Sequence, residues 1–126
     1  MYAPQFDYYR AKSVEEAGTL LKQHPGAKLL AGGHTLIPLM KLRLASPPAV
    51  IDIGRIAALK GVEAKGGVLR IGALTTHAEI AASTVVRDQC AALTEAAGHV
   101  GDPAVRNRGT IGGNVAHADP ASDLPT

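Results

Sequence analysis

Aromatic side chains end with Tyr9. Tyr2, Phe6, Tyr8 and Tyr9 are the only ones among 126 residues, and tryptophan is absent. Everything beyond that segment must build its interior from Leu, Ile, Val and Ala. At 46% hydrophobic residues the chain holds enough apolar material for a core of useful size. Its length favours one domain or part of one. Nucleic-acid readers of the stacking type need aromatics spread along a basic face. This chain offers none, and a net charge of +2 is too small to point to nucleic acid. The single cysteine, Cys90, excludes an internal disulfide framework and any cysteine-rich metal or iron–sulfur site within the chain. No apolar run is long enough to span a membrane, and no basic segment followed by an apolar block opens the sequence. The expectation is a soluble, globular, cytoplasmic protein or part of one.

The first 60 residues carry a charge of +4 and the rest −2. Residues 6–10 read as a strand. Ser13 and Glu16 have the spacing of a capping box, opening a helix to about Gln23 that buries Val14, Ala17, Leu20 and Leu21. Pro25-Gly26 ends it. Residues 27–31 read as a buried strand, 36–44 as a helix with Pro38 in its first turn, and 49–53 as another strand. The segment is thus β-α-β-α-β. Beyond it, residues 62–64 and 68–71 flank Lys65-Gly66-Gly67 as a hairpin. A short helix at 77–82 follows Thr75-Thr76, which read as caps. A longer helix at 85–97 places Val86, Cys90, Leu93 and Ala97 on one apolar face, and residues 98–109 read as loop-rich. The sequence stops at Asp123-Leu124-Pro125-Thr126 without a closing element, which reads as the end of a fragment.

Two glycine-pair segments carry the chemistry: Ala31-Gly32-Gly33-His34-Thr35 and Thr110-Ile111-Gly112-Gly113-Asn114. Consecutive glycines let the backbone turn with positive φ and let an anion approach. Their N–H groups can converge into a nest, and a following helix adds its own unpaired N–H groups. The dipole of one helix end is worth only about 0.3–1 kcal/mol at an exposed site, so two such loops on one diphosphate hold it far better than one. A lone glycine pair is usually a turn, and Gly66-Gly67 is read as nothing more. Repetition with polar neighbours (Thr35, Thr110, Asn114) sets the other two apart. His34 donates to a phosphate, sits near a redox ring, or only shapes its turn. Arg106 and Arg108 either meet an anion or stay solvated. His77, His99 and His117 lack metal-ligand spacing, Asp102, Asp119 and Asp123 suit loop caps, and Cys90 reads as a buried small hydrophobe. No residue set has the form of a catalytic triad or carboxylate pair, so no catalytic residue is assigned and a cofactor would carry any chemistry.

The stretches AGGHTLIPLMKLRL (residues 31–44) and GTIGGNVAHADPASDLP (residues 109–125) resemble the two FAD-binding motifs of the flavoprotein subunit of molybdenum hydroxylases. The likeness is greatest to the medium subunit of aerobic carbon monoxide dehydrogenases, within the xanthine dehydrogenase family. FDYYRAKSVEEA, AVIDI and IGALTTHAEI also fit, so the resemblance covers the whole chain. It implies an α+β FAD-binding domain of the vanillyl-alcohol oxidase (PCMH) type with two lobes, residues 1–55 and 56–126, the second truncated. It assigns Ala31, Gly32, Gly33, His34 and Thr35 to a first diphosphate loop, where the family commonly has serine at the place of Thr35. Thr110, Ile111, Gly112, Gly113 and Asn114 form the second, and Asp123 takes the acidic position that meets the cofactor. The implied partners are a large subunit with the molybdenum cofactor and a small subunit with [2Fe-2S] clusters. Electrons would pass from these through FAD to a quinone, NAD or another acceptor. The alternatives are a non-redox module binding a nucleotide or phosphate through the same loops, and an inactive remnant.

Overall fold

A computed structural model describes residues 1–124. Pro125, which closes the second motif, and Thr126 lie outside the described residues. The fold is α+β, and the chain forms two compact units, Met1–Ala58 and one beginning at Leu59.

The first unit is β1 (Asp7–Arg10), α1 (Val14–Gln23), β2 (Lys28–Leu30), α2 (Leu36–Lys41) and β3 (Ala49–Asp52). The strands form a parallel sheet in the order β1-β3-β2. The central strand is the apolar run AVI, and Ala49, Val50 and Ile51 are all buried. Continuous apolar strands are what parallel sheets bury, and Val50 and Ile51 each contribute about 1.5–3 kcal/mol by leaving water. β2 was expected to be buried but lies at the sheet edge, with Leu29 exposed. In α1 the Ser13 hydroxyl accepts from the Glu16 N–H at 3.1 Å, as the spacing predicts. The Glu16 carboxylate accepts from Lys12 N–H at 2.9 Å, one residue beyond the usual box partner. Only Ala17 of the predicted buried set is fully covered; Val14 and Leu21 are exposed.

α2 stops three residues before the predicted end. Arg43 takes a left-handed conformation (φ 58°), Leu44 N–H bonds the Leu39 carbonyl at 2.9 Å and Arg43 N–H the Met40 carbonyl at 3.0 Å. This is a Schellman stop with arginine where glycine is usual, so no glycine marked it in the sequence.

The second unit begins in a 3-10 turn (Ala57–Leu59 overall) and continues with the hairpin β4 (Val62–Lys65) and β5 (Val68–Ile71). Gly66 and Gly67 have φ of 58° and 75°, the pair of positive values that a tight two-residue hairpin turn demands. Helices α3 (His77–Ala82), α4 (Thr84–Gln89), α5 (Ala91–His99), α6 (Pro103–Arg108) and α7 (Ile111–His117) follow. Ile80, Val86 and Ala97 form the core, packed by Val62, Leu69, Ile71, Leu93 and Ile111.

Three expectations are corrected here. The single helix over 85–97 is two helices broken at Cys90, whose backbone leaves the helical range (φ −154°, ψ 79°). Val86 and Ala97 keep their buried places while Cys90 is exposed. Residues 98–109 are not all loop. Asp102 caps α6 by accepting from Val105 N–H at 2.9 Å, and Pro103 occupies the first helical turn. The second glycine pair lies inside the first turn of α7, not in a loop.

Candidate functional site

The first motif connects β2 to α2. Leu30, the last residue of β2, accepts from Ile53 N–H at 3.0 Å, which ties the start of the turn to the end of β3. Gly33 then turns the chain with φ 79°. Its carbonyl accepts the Ile37 N–H at 3.0 Å and opens α2. His34 Nδ1 lies 3.3 Å from the Gly32 carbonyl, so its ring braces the turn. Thr35, the cap residue of α2, makes no side-chain capping bond. Among the described residues, none of the N–H groups of Gly32, Gly33, His34 and Thr35 donates to a protein acceptor. Ala31, Gly32 and Gly33 are half-buried, and His34 and Thr35 are exposed. A run of unpaired amides around a left-handed glycine is a nest for an anion, and each bond to a charged oxygen is worth about 1.5–3 kcal/mol. A diphosphate therefore fits this loop chemically.

The second motif is built differently. Ile111 N–H donates to the Thr75 carbonyl at 3.0 Å, and Gly112 N–H to the Ala73 carbonyl at 2.9 Å. Gly113 N–H donates to the Thr110 hydroxyl at 3.1 Å, and Asn114 N–H to the Thr110 carbonyl at 3.0 Å. The start of α7 thus has its amides engaged by the protein. Its glycines have a packing reason: a Cβ on Gly112 would stand 2.6 Å from both the Cβ and the carbonyl oxygen of Ala73, and one on Gly113 2.9 Å from the Thr110 hydroxyl. What this motif can offer a ligand is side-chain chemistry. Asn114 Nδ2 donates to the Ser122 hydroxyl at 2.7 Å, which brings Asn114 next to the segment that carries Asp123. Ser122 entered no sequence argument. Asn114, Val115, Ala118, Asp119, Pro120 and Leu124 line a groove of about 300 Å³ beside this link.

Of the two threonines taken as caps, Thr76 is one, in a complete box with Glu79 at 3.2 and 2.8 Å. Thr75 is buried instead and bonds both the N–H and the carbonyl of Gly61, at 3.2 and 3.1 Å. His77 is 3% exposed, and its Nδ1 is buried without a hydrogen-bond partner among the described residues. Burial lowers its pKa from the ordinary 6.5. The unfolded chain therefore takes up this proton at a higher pH than the folded one. His77's contribution to stability is complete above pH 6.5 and falls as the pH drops toward its lowered value. Denaturation midpoints measured from pH 7.5 to 5 should show this acid loss in the wild type, and His77→Phe should diminish it. Equal pH slopes in the two proteins would show that His77 does not titrate this way.

Residues 4–126 match the family model described as the FAD binding domain in molybdopterin dehydrogenase. The chain is 49% identical over 126 residues to the carbon monoxide dehydrogenase medium chain of Hydrogenophaga pseudoflava, covering 99% of this chain and 44% of that one. It is 33% identical over 120 residues to the xanthine dehydrogenase FAD-binding subunit of Escherichia coli O157:H7, covering 94% of this chain and 41% of that one. A solved structure of the Hydrogenophaga pseudoflava carbon monoxide dehydrogenase lacking the Mo-pyranopterin moiety superposes with a TM-score of 0.93 at 50% identity, over 95% of this chain and 42% of that chain. The chain spans less than half the length of these curated relatives. With a mixed helix-and-strand fold, a first motif whose amides suit a diphosphate, and a match over nearly its whole length, the chain belongs to the family of FAD-binding domains of molybdopterin dehydrogenases, whose cofactor is FAD.

Proposed function

We propose that this chain binds FAD as part of the flavoprotein subunit of a molybdenum hydroxylase complex of the carbon monoxide or xanthine dehydrogenase type. Ala31, Gly32, Gly33, His34 and Thr35 hold the diphosphate through backbone amides. Thr110, Ile111, Gly112, Gly113, Asn114 and Asp123 form the second set of contacts, with Gly112 and Gly113 shaping the backbone and Asn114 and Asp123 supplying polar groups. The observation that carries the reading is the run of unpaired N–H groups from Gly32 to Thr35 in a chain of this family. When bound, FAD supplies reversible uptake and release of electrons. The chain's own residues bind and orient it, and none of them touches the substrate oxidised elsewhere in the complex.

The relatives are named as medium chains and FAD-binding subunits. By that likeness the partners are a large subunit carrying the molybdenum cofactor and a small subunit carrying [2Fe-2S] clusters. Electrons pass from them through FAD to a quinone, NAD or another acceptor. Among the described residues no helix is long and apolar enough to cross a membrane, and a cytoplasmic complex fits this reading. The test is the absorption spectrum of the full-length protein purified with its partners. A flavin band is expected. A colourless complex that also fails to take up added FAD would overturn the redox reading.

A further inference from the structure

Gly109 and His77 form a contact that neither motif requires by itself. His77 N–H donates to the Gly109 carbonyl at 3.0 Å, and Ile111 N–H donates to the Thr75 carbonyl at 3.0 Å, on either side of an antiparallel bridge between Thr76 and Thr110. The imidazole lies against the bare Cα of Gly109: a Cβ there would come 2.9 Å from the ring Cδ2 and 3.2 Å from Nε2. The ring is buried, yet its Nδ1 has no hydrogen-bond partner among the described residues. A Cβ there would also stand 3.1 Å from the Val105 carbonyl oxygen, so the ring and the α6 backbone together crowd position 109. Immediately after it, Thr110 is 6% exposed and its hydroxyl receives the Gly113 N–H. Thr110 thus stands between the ring's contact at Gly109 and the first turn of α7.

We propose that His77 is a positioning residue for the second FAD-contacting motif, its ring acting as a wedge behind Gly109 that sets where Thr110 and the start of α7 stand. The proposal rests on the FAD reading above. It assigns the wedge to the ring's shape, so phenylalanine serves in its place and alanine does not.

The test uses the full-length protein with its partners, stripped of flavin and titrated with FAD under conditions where circular dichroism shows every variant folded. A purely stabilising residue would lower the unfolding midpoint without changing the affinity of the folded protein. A wedge changes the affinity itself. His77→Ala and Gly109→Ala are expected to weaken FAD binding about tenfold or more, and His77→Phe to stay within about threefold of wild type. Hydrogen exchange of the Ile111, Gly112 and Gly113 amides, read by mass spectrometry without flavin, should quicken in the two alanine variants and not in His77→Phe. Wild-type affinity in folded His77→Ala would overturn the proposal, as would equal losses in His77→Phe and His77→Ala. If His77→Ala does not fold, His77→Val takes its place, with the same expected loss and the same overturning result. If the wild type itself takes no FAD, the functional reading fails, and exchange alone judges the wedge: unchanged rates in the alanine variants overturn it.

Discussion

Gly112→Ala is expected to destabilise the second unit by about 3 kcal/mol or more. The new methyl group would sit 2.6 Å from the Cβ and the carbonyl oxygen of Ala73 and 3.0 Å from its Cα. Two of these are backbone atoms, so no side-chain rotation relieves the clash. The distance cannot simply open either, because Gly112 N–H is bonded to that same Ala73 carbonyl at 2.9 Å. α7 would have to lift away, giving up this bond and the neighbouring one from Ile111 to Thr75. Against a total stability of about 5–15 kcal/mol for an ordinary domain the loss is large. Denaturant unfolding followed by circular dichroism measures it. Gly98→Ala is the matched control: Gly98 lies in α5, a Cβ there meets nothing within 4 Å, and its φ is not left-handed. That change should stabilise by about 0.8–1 kcal/mol through helix propensity. A wild-type midpoint for Gly112→Ala would mean that α7 and Ala73 are not locked together.

Gly33→Val is expected to leave the first unit folded and to weaken FAD binding about a hundredfold. Gly33 holds φ at 79°, a conformation that a β-branched residue strongly resists. The nearest atom to an added Cβ is the Ile37 Cδ1 at 2.8 Å, the far end of a flexible side chain that can swing aside. The fold therefore tolerates the change, while the turn must re-form with a negative φ. That re-aims the N–H groups of Gly32, His34 and Thr35, which are unpaired among the described residues. Losing about two bonds to a charged diphosphate at about 1.5 kcal/mol each gives the hundredfold figure. Flavin content per protein and FAD titration read it directly. Full flavin in Gly33→Val would show that the loop is an ordinary turn.

The two glycine pairs look alike in sequence, and the structure separates them. The strand, glycine pair and helix of the first follow one another in local signals, and among the described residues no protein acceptor claims its amides. The second was legible as a motif but not in its working. Two of its amides are taken by Ala73 and Thr75, residues nearly forty positions away, and periodicity carries no information about a long-range bond of that kind. The parallel β-α-β-α-β unit followed from AVID, the Ser13 cap and Pro25-Gly26, all local signals. Burial was harder to read, because whether Leu21 or Leu29 is covered depends on how many strands lie beneath them. α6 was missed although Asp102-Pro103 carried the signal of a cap followed by a first-turn proline. The break at Cys90 had no such signal: neither glycine nor proline marks it, and the apolar spacing runs straight across it. His77 was passed over for the same reason as Thr75, since its significance lies in Gly109, a residue without a side chain.

The exposed Cys90 at the junction of α4 and α5 gives this chain a single chemical handle. A maleimide dye or nitroxide attached there lands on one known atom, on an exposed side chain between the buried Val86 and Ala97 of the two helices. Energy transfer or a dipolar distance from that one label then becomes a ruler for locating whatever chromophore or radical the second unit holds.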